Sequence, residues 1–236
     1  MFELTDKVVV ITGSTKGIGR AMAEQMAKAG AKVVVSSRKA EPCDEVAAAI
    51  VAAGGEAIAI PCHIGHKDQL QNLVDQTIAK WGRIDVMVCN AAANPFYGSL
   101  ADIPDELFDK TMETNVRSNV WLANMVAPQM KERKDGVIII TSSIGGLKGD
   151  ANLGAYAISK AADMQLARNL AVELGPTISA SIASPPAWCA PTWPAPCGRT
   201  PTPTNASAPP PPCSASASPT KLPARRCSWP PKLAAS

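Results

Sequence analysis

The chain opens on a short apolar run. Residues 7–12, Lys-Val-Val-Val-Ile-Thr, are mostly β-branched, show no polar alternation and stop at Gly13. Such a run fits a parallel strand buried on both faces. From Ile18 to Ala29 the apolar positions shift to helical spacing, and Gly30 closes the stretch. The alternation then repeats. Residues 32–36 predict a second strand, 44–53 an alanine-rich helix and 57–60 a third strand. Leu70, Leu73, Val74 and Ile78 mark a helix over 67–80, and 85–89 reads as a fourth strand. Apolar residues three and four apart predict one long helix over 107–131. Residues 137–140 predict a fifth strand and 154–174 a further helix. Strands alternating with helices predict an α/β fold built on a doubly wound parallel sheet.

The pattern breaks after Pro176. All but six of the 21 prolines follow that residue, no Asp or Glu follows Glu173, and no Val follows Val172. Two parts are therefore expected: residues 1–176 as a folded domain, and 177–236 as a tail rich in Pro, Ala and Ser. The chain of 236 residues suits a single α/β domain. A net charge of +3 is too small to imply a nucleic-acid partner. No apolar run reaches the roughly 18 residues of a membrane helix, so no membrane partner is expected. The first seven residues lack the basic and apolar regions of a signal peptide, so the expected location is cytoplasmic. Seven cysteines show neither C-x-x-C nor zinc-ligand spacing, and no metal site is expected.

The first strand runs into Thr12-Gly13-Ser14-Thr15-Lys16-Gly17-Ile18-Gly19. Glycines here permit a tight turn and let backbone approach a pyrophosphate. The helix that follows offers free N–H groups and a positive dipole end to the phosphates. A glycine set alone says little, but its place between the first strand and first helix is specific. At the end of the second strand, enzymes that use NAD need a carboxylate for the ribose hydroxyls. This chain has Ser36-Ser37-Arg38-Lys39 instead. Arg38 can fork onto a 2′-phosphate, with Lys16 or Lys39 adding charge, so the expected cofactor is NADP(H).

Ser143 follows the fifth strand, Tyr156 comes 13 residues later and Lys160 four residues after that. Spacing of i, i+4 puts Tyr156 and Lys160 on one helix face. A free tyrosine titrates near 10, too high for a base near neutrality. An ammonium and a cationic nicotinamide nearby favour the phenolate. Tyr156 can then exchange a proton with a carbonyl or alcohol oxygen, while Ser143 hydrogen-bonds that oxygen.

These residues resemble the short-chain dehydrogenase/reductase family: T-G-x-x-x-G-x-G, an N-N-A-G-like segment, then S and Y-x-x-x-K. The likeness covers nearly all of residues 3–176. It implies a Rossmann-like sheet, and it places the family's catalytic asparagine at Asn115, where it would anchor a water in a proton relay. Lys160 would also bind the nicotinamide ribose. Two departures stand out. The N-N-A-G position reads Cys89-Asn90-Ala91-Ala92, and Cys62-His63-Ile64-Gly65 replaces the adenine-binding aspartate after the third strand. With Asn94-Pro95-Phe96 and Ser36-Ser37-Arg38, these features are similar to the branch of NADPH-dependent carbonyl reductases and retinol dehydrogenase/reductases. In that branch His63 could stack on adenine or be a loop residue with no ligand role; Ile64, Asn90 and Ala91 would line the cofactor. The implied partner is a small carbonyl or alcohol substrate, and the family implies a homo-oligomer.

The family's sixth strand, substrate lid and seventh strand should follow Pro176, yet residues 179–236 show no helical or strand period. Composition alone predicts a disordered tail. A frame change explains that composition better. Pro, Ala, Ser and Thr codons carry C in the middle, and Arg, Cys, Trp and Gly codons carry G. A GC-rich gene read one base late moves its third positions there. Trp188 is TGG and Cys189 begins TG, so the other frame holds GTG, valine. Continued from Pro185, that frame permits P-G-L-V-R-T-D-M, which resembles what the family places after its sixth strand. The disruption falls between about Gly175 and Ser179, and the sheet is expected to lack the family's last two strands. Two functions are then open: a hydride-transferring oxidoreductase on a carbonyl or secondary alcohol, or a non-catalytic, truncated remnant that binds cofactor weakly.

Overall fold

The computed structural model describes residues 3–175 and, as backbone, the strand at 179–183. In chain order the regular elements are β1 (Val8–Thr12), α1 (Gly17–Lys28), β2 (Lys32–Ser36), α2 (Ala40–Ala52), β3 (Glu56–Ala59) and α3 (Lys67–Trp81). Then come β4 (Val86–Cys89), α4 (Asp105–Met112), α5 (Ser118–Arg133), β5 (Val137–Thr141), α6 (Gly154–Leu174) and β6 (Ser179–Ala183). All pairings are parallel, in the order β3-β2-β1-β4-β5-β6. The chain reverses direction across the sheet between β1 and β4. In such sheets ligands bind there, beyond the carboxyl ends of the strands.

Strands β1 to β5 each contribute to two cores, as a sheet covered on both faces requires. Val9, Ile11, Val33, Val35, Val86 and Val88 pack with α1 and α2 through Ala23, Ala27, Val46 and Ile50. Their neighbours Val10, Val34, Met87, Ile138 and Ile140 pack with α3, α5 and α6 through Leu70, Leu73, Leu122, Val126 and Leu170. Cys43, Cys62 and Cys89 are buried thiols. Burial pushes Cys62 up to about 11 and Cys89 up to about 12. None of the helices among the described residues is long and apolar enough to cross a membrane.

Three expectations change. The second helix begins at Ala40 rather than 44, because Pro42 stands in the first turn, where a missing N–H costs no helical bond. The long helix predicted over 107–131 is split: α4 and α5 are joined by a π-helical turn, Glu113–Arg117. Buried polar side chains satisfy the widened backbone. Ser118 Oγ donates to Thr114 O at 2.6 Å, and Asn119 Nδ2 to Asn115 O at 2.7 Å. Thirdly, the sheet does not stop at β5. Residues Ser179–Ala183 pair in parallel with Val137–Thr141, a sixth strand where the sequence shows no strand period and none was expected. Strand pairing uses backbone groups, so a run of small residues can supply it. The seventh strand and the rest of the predicted tail, 177–236, lie outside the described residues.

Candidate active site

The carboxyl ends of β1 and β4 are tied together by one threonine and one asparagine. Thr12 Oγ1 accepts the N–H groups of Asn90 and Ala91 at 3.0 and 3.1 Å, and donates toward Val88 O at 3.3 Å. Asn90 Nδ2 donates to Thr12 O and Gly13 O at 3.0 and 3.2 Å. Asn90 thus shapes the glycine turn from below. Gly13 takes a left-handed backbone, with φ of 67°. A Cβ on Gly19 would stand 2.3 Å from Gly13 O and 2.5 Å from Asn90 Nδ2, so only glycine fits. Ser14, fully buried, fastens the turn to β2: its Oγ donates to Ile11 O at 2.8 Å and accepts Ser36 N–H at 2.9 Å.

Helix α1 starts directly from this turn, with Gly17, Ile18 and Gly19 in its first turn after Thr15 and Lys16. Its capping position is Lys16, whose side chain makes no capping bond, and its first turn holds no acid. The first N–H groups of a helix have no partner within it. With no serine, threonine or aspartate oxygen to occupy them, they suit an anion. This cradle fits a dinucleotide pyrophosphate.

The ends of β2 and β3 lie beside it. Cys62 N–H donates to Ser37 O at 2.9 Å, which brings His63 and Ile64 next to Ser37 and Arg38. Ile64 is buried, whereas Arg38 is exposed. His63 Nδ1 accepts Gly65 N–H at 3.1 Å, and its ring centroid lies 4.7 Å from that of His66. Partial burial, helped by His66, Arg38 and Lys110, holds the imidazole below its ordinary range. The β2–α2 turn, residues 37–39, carries the two cations Arg38 and Lys39 and no carboxylate.

On the other side of the switch point, β5, the segment after it and α6 come together. Ser142 Oγ donates to Lys160 O at 2.8 Å. Gly146 lies flat on the same backbone, since a Cβ there would be 2.8 Å from Lys160 C. These contacts press the Ser143–Gly146 turn onto the start of α6. Ser143 is half-buried and its Oγ accepts Gly145 N–H at 3.1 Å. Tyr156 is half-buried, with the Lys160 ammonium 5.8 Å from its ring centroid. Lys160 Nζ donates to Thr141 O at 2.9 Å.

Asn115 is fully buried at the π-turn and pairs with Ala93 in both directions: Oδ1 accepts Ala93 N–H at 2.8 Å and Nδ2 donates to Ala93 O at 2.9 Å. Nδ2 also reaches Ser159 Oγ at 3.0 Å, which donates to Tyr156 O at 2.7 Å. The four residues singled out for chemistry, Asn115, Ser143, Tyr156 and Lys160, thus come from three neighbouring segments: the π-turn, the turn after β5 and the start of α6. Sequence reasoning passed over Thr12, Asn119, Ser159 and Asp163. For the last three the signal was a polar residue at helical spacing from a candidate: Asn119 is Asn115 plus four, Ser159 is Tyr156 plus three and Asp163 is Lys160 plus three. Among the described residues no group of three His, Cys, Asp or Glu side chains could hold a metal ion.

Residues 7–192 match the family described as short chain dehydrogenase, and the chain belongs to that family. The chain is 41% identical over 173 residues to dehydrogenase/reductase SDR family member 4 from Sus scrofa, covering 73% of this chain and 62% of that protein. It is 37% identical over 179 residues to tropinone reductase-like 3 from Erythroxylum coca, covering 76% and 69%. The chain thus spans less than two thirds of the length of the pig relative. A metagenomic short-chain oxidoreductase solved in complex with NADP superposes with a TM-score of 0.74 at 34% identity, covering 77% of this chain and 83% of that one. A 7α-hydroxysteroid dehydrogenase complexed with NADH and 7-oxo glycochenodeoxycholic acid gives a TM-score of 0.73 at 36% identity, covering 78% and 71%. The homology is to NAD(P)-linked oxidoreductases.

Proposed function

We propose that this protein is an NADP(H)-dependent carbonyl reductase or secondary-alcohol dehydrogenase acting on a small-molecule substrate. The observation that carries the reading is the gathering of Asn115, Ser143, Tyr156 and Lys160 at the carboxyl ends of β4 and β5, one strand away from the glycine cradle. The dinucleotide, when bound, supplies or takes the hydride. The chain does the rest. Gly13–Gly19 receives the pyrophosphate on backbone N–H groups, with Asn90 and Ala91 against the turn. Ser143 holds the substrate oxygen by a hydrogen bond. Tyr156 gives that oxygen a proton in reduction and removes one in oxidation. Lys160 sets a positive charge beside Tyr156, and Asn115 fixes the α4–α5 junction against Ala93 and Ser159.

The preference for the 2′-phosphorylated cofactor is supported by Ser37 and Arg38 at the end of β2, with His63 and Ile64 alongside. Titration of the protein with NADPH and NADH tests this. NADPH is expected to bind more tightly, and Arg38→Ser to erase about ten- to a hundredfold of the difference, the size of a charge-assisted pair. Equal affinity for both cofactors in the wild type would show that Arg38 serves no such purpose.

We also propose that the codons from about residue 177 onward are read one base out of frame. The composition after Glu173 and the P-G-L-V-R-T-D-M reading support it. Sequencing the gene across codons 170–185 checks this directly. The expected result is one base missing or added. An unaltered frame overturns the proposal and leaves the tail as the protein's own.

A further inference from the structure

The face of α6 that carries Tyr156 and Lys160 also carries an acid. Asp163 is 0% exposed and Lys160 2%. Lys160 Nζ donates to Asp163 Oδ2 at 2.8 Å as well as to Thr141 O at 2.9 Å. The other carboxylate oxygen, Asp163 Oδ1, accepts from Asn119 Nδ2 at 2.9 Å, and the same amide nitrogen donates to Asn115 O at 2.7 Å. An unbroken series of buried bonds therefore runs from β5 through Lys160, Asp163 and Asn119 to the π-turn of Asn115. Tyr156 on α6 and Cys89 on β4 are the other titratable groups near the pair. Burial raises the Asp163 carboxyl above its usual range, opposed by the Lys160 ammonium and the Asn119 amide.

Stability does not account for this arrangement. A buried ion pair is often no better for stability than well-packed apolar residues of the same volume. A helix packed on a sheet could fill position 163 with leucine. Geometry gives the acid a different use. An ammonium has three N–H donors. Two are committed to Thr141 and Asp163, so the direction of the third is fixed by the protein. A lysine side chain left loose would lose its rotamer freedom when a ligand bound it, and affinity would fall accordingly.

We infer that Asp163 is a positioning residue that fixes the Lys160 ammonium in advance at the place where the nicotinamide ribose binds. The inference rests on the cofactor reading of Lys160 given above. It assigns Asn119 the matching part of holding Asp163 from α5.

The test separates the two halves of the cofactor. 2′,5′-ADP carries the adenosine half and stops short of Lys160, whereas NADPH reaches it. Affinities of the full chain for both are measured calorimetrically for wild type and Asp163→Asn, which keeps the shape and removes the charge. The expected result is NADPH binding weakened about tenfold, the scale of freeing one long side chain, with 2′,5′-ADP binding unchanged. NADH and ADP form a second pair that does not depend on the 2′-phosphate. Unchanged NADPH binding overturns the inference, and so does equal weakening of both ligands, which marks a general loosening of the fold. A wild-type chain that binds neither dinucleotide overturns the cofactor reading itself. If Asp163→Asn shows no cooperative melt, Asn119→Ala takes its place, because it leaves the ion pair intact and removes the amide behind Asp163, together with that amide's bond to Asn115 O. The same selective loss, about threefold, is expected there, and equal affinities for NADPH in that variant and the wild type overturn the inference.

Discussion

Tyr156→Phe is expected to lower turnover by at least about a hundredfold, the usual contribution of a positioned acid or base, while NADPH binds as in the parent. Phenylalanine keeps the half-buried ring beside the Lys160 ammonium and removes only the hydroxyl. Two of the bonds that shape this corner run to backbone carbonyls instead. Ser159 Oγ donates to the Tyr156 backbone carbonyl, and Ser142 Oγ to that of Lys160. Loss of activity with NADPH binding retained would report proton transfer rather than a collapsed site. The measurement is the rate of NADPH-dependent reduction of a small ketone by the frame-restored protein, alongside a cofactor titration. Activity within about tenfold of the parent would remove Tyr156 from the proton-transfer role.

Gly19→Ala is expected to weaken NADPH and NADH alike by about a hundredfold or more. One added methyl group would lie 2.3 Å from Gly13 O and 2.5 Å from Asn90 Nδ2. The first of these atoms is backbone and cannot rotate away. The second belongs to the side chain that holds Thr12 O and Gly13 O in place. Relief therefore moves the turn or the start of α1, and the backbone N–H groups lose their aim at the pyrophosphate. Losing two hydrogen bonds to a charged group costs about 3–6 kcal/mol, which corresponds to a hundredfold or more. Cofactor titration with a thermal melt checks the result. Affinity within about threefold of wild type, with the melt unchanged, would show that the cradle is not where the dinucleotide sits. The clash acts on a phosphate site common to both cofactors, whereas Arg38→Ser acts only on the one that carries a 2′-phosphate.

The sequence alone determined the elements whose signal is local. The β-branched runs of β1 and β2 stand in the structure as read, and α6 spans Gly154–Leu174 as its periodicity indicated. The glycine turn and the Tyr156–Lys160 spacing were equally legible, because a tight turn and an i, i+4 pair are set by residues a few positions apart. Tertiary structure decided the rest. The break at Glu113–Arg117 was hidden within a continuous apolar period, since a π-turn leaves the hydrophobic spacing almost intact. It depends on Asn115 meeting Ala93, a partner 22 residues away. The buried trio of Lys160, Asp163 and Asn119 looks in sequence like polar residues on helix surfaces, and becomes interior only when α5 and α6 pack together. The strand at Ser179–Ala183 carried no side-chain period at all. It exists through backbone pairing to β5, which side-chain pattern cannot report, because hydrogen bonds between strands belong to the peptide groups that every residue shares.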